Sequence, residues 1–89
     1  MENQIKKIIS QTLGIPVEDV LSKKTLDELG ATEVELTELI VSFEEGIGAN
    51  LDDDMVTADQ TVGDIVKYVT EVYLIHQRDP GAEDREGEE

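Results

Sequence analysis

Leu29-Gly30-Ala31-Thr32-Glu33-Val34-Glu35-Leu36-Thr37-Glu38-Leu39, continuing through Ile40 to Phe43-Glu44-Glu45, is the stretch on which the fold turns. Thr32 stands three residues before Glu35. This is the spacing of a capping box, in which a hydroxyl and a carboxylate each take one orphan amide at a helix start. The helix is therefore expected to begin at Glu33. Leu36, Leu39, Ile40, Phe43 and Ile47 then recur at i, i+3, i+4, i+7 and i+11, a single apolar stripe at helical period. Gly46 and Gly48 mark where it frays, giving an expected helix over 33–46.

Upstream, Ile5, Ile8, Ile9 and Leu13 fall on one helical face, predicting a helix over 3–13 that Gly14 and the Ile15-Pro16 step bring to an end. Residues 15 to 32 read as a long loop pinned by Val17, Val20, Leu21, Leu26 and Leu29, with room for one helical turn at Glu18 to Leu21. Downstream, Asp52, Asp53 and Asp54 precede Met55 and Val56. Carboxylates at a helix N-terminus suit the macrodipole, so a short helix is expected over 53–58. Thr61 and Asp64 repeat the capping-box spacing, and Val62, Ile65, Val66, Val69, Val72 and Tyr73 continue on one face to His76. The β-branched residues of this last helix lower its intrinsic propensity, so packing must supply its stability.

The whole is an all-α pattern of three main helices and one short one. It accounts for residues 1–76 as one small domain and leaves 77–89, with six acids against two Arg, as a disordered acidic tail. The chain has 89 residues, 22 Asp plus Glu against 7 Lys plus Arg, and a formal net charge of -15. Without Cys there are no disulfides, thiolate metal sites or cysteine nucleophiles. No apolar run approaches the ~18 residues of a membrane span, and no signal-peptide run follows Met1, so the expectation is a cytoplasmic monomer with no membrane partner. Between Thr25 and Val66 there are twelve acids and no Lys or Arg. Such a field repels nucleic acid and attracts basic protein surfaces.

Leu29-Gly30-Ala31 leading into an acidic second helix, between an amphipathic first helix with a long loop and a short helix before the last, resembles the acyl carrier protein family. The likeness covers about residues 3 to 75. It implies an acyl-carrier-type bundle serving a fatty-acid, polyketide or peptide-synthetase type system. In that family an Asp-Ser-Leu triplet follows Leu-Gly-Ala or Leu-Gly-Gly, and its Ser bears a 4'-phosphopantetheine arm that holds acyl groups as thioesters. Here the triplet is Thr32-Glu33-Val34. A carboxylate cannot form the phosphodiester that a hydroxyl forms, so the resemblance implies no cofactor on the chain as written, and 4'-phosphopantetheine if position 33 were Ser. Glu33 is either a natural loss of the site or an engineered replacement. Ser10, Ser22 and Ser42 do not stand at a helix start, and Thr32 is already employed as the cap.

The resemblance further implies that Val34, Glu35, Thr37, Glu38, Val41, Glu44 and Glu45 form the face that meets basic patches of synthases and acyl-transfer enzymes. It implies too that Leu39, Ile40, Phe43, Ile47, Val56, Ile65 and Val69 surround an acyl pocket, although without a tethered chain the same residues make a closed core. The remaining constellations carry no chemistry. Asp52-Asp53-Asp54 lacks the alternating ligands, Gly and distant Glu of a calcium loop and reads as capping, so no metal site is expected. His76 stands alone near a helix C-terminus. The carboxylates of Glu33, Glu35 and Glu38 lie on an exposed ridge without the buried surroundings that acid–base work needs, so an enzyme is rejected. The rival from another class is an acidic regulatory or cation-binding protein unrelated to acyl transfer.

Overall fold

The computed structural model describes residues 1–78. Three helices, α1 (Glu2–Leu13), α2 (Glu33–Ile47) and α3 (Val62–Arg78), form an all-α bundle with single 3-10 turns at Val17–Asp19 and Asp53–Met55. The tail from Asp79 onward lies outside the described residues. Its first two expected members, Gln77 and Arg78, belong to α3.

One continuous core joins all three helices. Ile5 and Ile9 of α1, Leu39, Ile40, Phe43 and Ile47 of α2, and Val62, Ile65 and Val69 of α3 are buried, together with Val20, Leu26, Leu51 and Val56 from the connections. Each such side chain removed from water is worth about 1.5–3 kcal/mol. No Trp is present and Phe43 is the one Phe, so aliphatic packing supplies nearly all of this. Leu36, expected in the α2 stripe, is half-buried at its edge. So are Val66, Val72 and Tyr73 in α3.

Other details of the connections and helix ends differ from the sequence expectation. α2 passes through Gly46 and stops at Ile47, because it is Gly48 that adopts the left-handed conformation (φ 72°) and returns its N–H to the Glu44 carbonyl at 2.8 Å. The helix expected at 53–58 is one 3-10 turn at Asp53–Met55: Val56 is extended and turns into the core. In the long loop, Val20 and Leu26 are the anchors, whereas Val17 and Leu21 remain half exposed at 50% and 51%.

The long loop is knitted to the start of α3. An antiparallel bridge pairs Thr25 with Thr61. Leu26 N–H donates to the Gln60 carbonyl (3.1 Å), Val62 N–H to Lys24 (2.8 Å) and Gly63 N–H to Ser22 (3.0 Å). A third box of this kind, between Thr25 and Glu28, stiffens the loop itself. Thr25 N–H donates to Glu28 Oε1 at 2.9 Å and Glu28 N–H to Thr25 Oγ1 at 3.0 Å. That amide, with nearby Lys24 and the Thr25 hydroxyl, outweighs the opposing desolvation and holds the Glu28 carboxyl below its ordinary range.

Candidate functional site

The start of α2 is where the sequence placed its chemistry. Thr32 is extended, its hydroxyl accepts from Glu35 N–H at 3.4 Å, and Glu35 Oε1 accepts from Thr32 N–H at 2.9 Å. The reciprocal box is therefore closed, and it fixes the direction in which residue 33 leaves the helix end. Glu33 is the first helical residue and is exposed, as is Val34 at 68%. Gly30, at φ 89°, makes the turn that carries the chain from the loop into this corner.

Along the outer side of α2, Val34, Thr37, Glu38, Val41 and Glu45 are all exposed. Val41 stands at 46%, so neither valine is tucked against the loop or the last helix. The result is an apolar line flanked by free carboxylates. Two of the acids on the expected face have other work. Glu35 closes the cap, and Glu44 is half-buried with its Oε2 accepting Leu51 N–H at 2.8 Å. Next to it the Tyr68 hydroxyl accepts Asp52 N–H at 2.9 Å, so side chains from α2 and α3 together clamp the backbone that begins the Asp53–Met55 turn. Asp52 caps that turn by accepting Asp54 N–H at 3.0 Å. Glu44's tie to Leu51 spans seven residues and has no local sequence signal. Met55, 42% exposed, is a surface apolar residue that sequence reasoning passed over.

Leu39, Ile40, Phe43, Ile47, Val56, Ile65 and Val69 are all buried in one cluster. Phe43, Ile47 and Val69 also border an open cleft on the α1 side.

A family model described as Phosphopantetheine attachment site matches residues 3–69. This chain belongs to that family. An acyl carrier protein of Desulforapulum autotrophicum is 41% identical over 71 residues, a span of 78% of this chain and 92% of the relative. Membership sets aside the rival reading of an acidic protein whose helix pattern merely coincides with that of acyl carriers. In this phosphopantetheine family the arm is held by a phosphodiester, and residues 32–34 can be tested for fit. Position 33 offers a carboxylate and no hydroxyl. Of the adjacent hydroxyls, Thr32 Oγ1 serves the cap and Thr37 Oγ1 donates to the Glu33 carbonyl at 3.2 Å. Ser10 Oγ is turned to the Ile15 carbonyl at 2.6 Å, at the other end of α1's own turn. The side chain at position 33 does not fit the group. Among the described residues, no helix is long and apolar enough to cross a membrane.

Proposed function

We propose that this protein is a non-enzymatic docking module of an acyl-carrier-based system, one that meets basic partner enzymes through α2 and does not itself carry a phosphopantetheine thioester. The observation that carries the reading is Glu33: an exposed carboxylate on the first residue of α2, at the end of an intact carrier frame. A carboxylate there is favoured by the helix dipole by about 0.3–1 kcal/mol, so the substitution leaves the fold undisturbed while removing the nucleophilic oxygen. Val34 and Val41 supply the apolar centre of the docking face, and Glu33, Glu38 and Glu45 its free charges. Glu35 and Glu44, held by backbone amides, contribute less. The chain acts as a regulator, decoy or scaffold component in the cytoplasm.

A second reading rests on the same corner. Because position 33 is exposed and correctly capped, a Ser there would be accessible, and a parent protein with Ser at this position would be a working acyl carrier.

Intact mass after incubation with coenzyme A and a permissive phosphopantetheinyl transferase tests both, run on this chain beside Glu33→Ser. Only the Ser version is expected to gain the arm. Modification of the chain as it stands overturns the reading of Glu33. Failure of both overturns the docking half, because a transferase must dock before it transfers. In the Ser background, Glu38→Lys is expected to slow modification at least tenfold with the melting temperature unchanged within 2–3 °C, since exposed ion pairs give on-rate more than stability.

A further inference from the structure

Charge is spread unevenly along this chain. Residues 1–24 hold four Lys, at 6, 7, 23 and 24, against three acids, whereas residues 25–66 hold twelve acids and no Lys or Arg. The first stretch folds around one groove. It is open, about 630 Å³ in volume, and lies between α1, from Asn3 to Gln11, and the Val17–Asp19 turn, with buried Val20 at its base. Val17 and Leu21 form an apolar lip and are half exposed at its edge. On the helix side Lys7 is exposed, while Lys6 is paired with Glu2 at 3.0 Å. Among the described residues Glu18 is the one acid that borders the groove. Lys23 and Lys24, both exposed, follow on the loop just past Leu21.

Lysines of this kind are met by carboxylates, yet a separate acidic protein is repelled by a net charge of -15. An acidic segment of the same chain is not, because tethering replaces the encounter with an effective concentration in the ~mM range. Residues 79–89 carry six acids against Arg85 and follow α3 directly. The acids of residues 25–66 repel them, which leaves the α1 side as the least negative surface within reach. The path is short enough. The first residues of α3 are bonded to Ser22 and Lys24, and Val69 borders one cleft with Met1 and Ile5, so α3 runs toward the beginning of α1. Arg78 stands nine residues past Val69, about 13 Å at helical rise. Eleven residues span up to ~36 Å, which covers the return to Asn3 and a further ~12 Å along α1 to Gln11.

We infer that residues 79–89 lie along the α1 groove, their carboxylates on Lys7, Lys23 and Lys24, and cover Val17 and Leu21. The contact uses neither α2 nor position 33, so it leaves the docking face open and stands apart from the reading of Glu33. Exposed charge pairs hold it, so it is sensitive to salt.

Because the chain has no Cys, Gly87→Cys gives a single attachment point for a nitroxide on the full-length, isotope-labelled protein. Amide relaxation is expected to be enhanced roughly threefold more at residues 3–11 and 17–24 than at 33–45 in low salt, and about 0.5 M NaCl should remove the difference. Lys7→Glu combined with Lys23→Glu, both at exposed positions, should cut the enhancement about twofold or more and leave the amide shifts of residues 39–47 in place. The relaxation map of the Gly87→Cys chain decides the matter even if the double lysine variant does not fold. The inference is overturned by enhancement confined to the end of α3 or centred on residues 33–45, or by indifference to the two lysine changes. It is also overturned if enhancement passes from nitroxide-bearing chains without isotope to isotope-labelled chains without nitroxide, which would give the groove to a second copy.

Discussion

The starts of α2 and α3 are built from the same local device and end in opposite circumstances. Thr32 and Glu35 close one capping box, and Thr61 and Asp64 close another through Asp64 N–H to Thr61 Oγ1 at 3.1 Å. At α3 the long loop lies across the cap. Thr61 pairs with Thr25, Val62 is 0% exposed, and a Cβ on Gly63 would stand 3.2 Å from the Ser22 carbonyl oxygen. At α2 none of the described residues covers the cap, and Glu33 and Val34 face solvent. Capping chemistry sets where a helix begins. Whether that beginning becomes core or a place to meet a partner is settled by what the rest of the chain lays over it.

The comparison can be broken most severely in the first turn of each helix, at the first residue of α3 and the second of α2. Val62→Asp buries an unpaired carboxylate and is expected to cost about 3–5 kcal/mol, close to the whole stability of so small a domain. Val34→Asp, exposed, should stay within about 0.5 kcal/mol. Urea unfolding of the two variants measures the contrast, and equal losses would contradict the covered-versus-open distinction.

The caps themselves sharpen it. Thr32→Ala and Thr61→Ala each remove a cap worth about 0.5–2 kcal/mol, and Thr61 should sit at the upper end because its residue also carries the bridge to the loop. Amide exchange should then rise at Leu26 and Val62, whose N–H groups bond across that bridge, only in Thr61→Ala.

The smallest effect lies in the loop. Glu28's folded pKa is depressed, so its ionised form adds stability that is fully present above the ordinary carboxylate value. That stability is lost as pH falls through the lowered one. Glu28→Gln should lower the neutral plateau slightly and so flatten the acid limb of the stability profile, leaving stability at the lowest pH nearly unchanged. A profile identical to that of the parent would detach the loop box from stability.

Much of this was legible in the residue order. The α2 stripe and its Thr32–Glu35 box located the helix to within a residue at its end, because periodicity and capping are local. The choice between Gly46 and Gly48 as the stop was not legible, since both are glycines and only the position where the chain turns left-handed decides. Val17 and Leu21 read as anchors as well as Val20 and Leu26 did. Which of the four are buried depends on how the loop crosses α3, a long-range fact. The same holds for Glu44, indistinguishable from Glu45 in sequence and yet engaged by Leu51 while Glu45 is exposed.

The sequence by itself determined three amphipathic helices, the caps that begin two of them, the acid-rich middle of the chain and the carboxylate at position 33. Each of these is written within a few turns of chain, where periodicity, capping and charge act over short distances. Tertiary structure alone decided that the α2 start is open while the α3 start is covered. It also decided that Glu44 and Tyr68 hold the backbone before the Asp53–Met55 turn, and that a groove opens between α1 and the Val17–Asp19 turn. These depend on contacts between residues far apart in sequence, and such contacts exist only once one core has drawn the helices together.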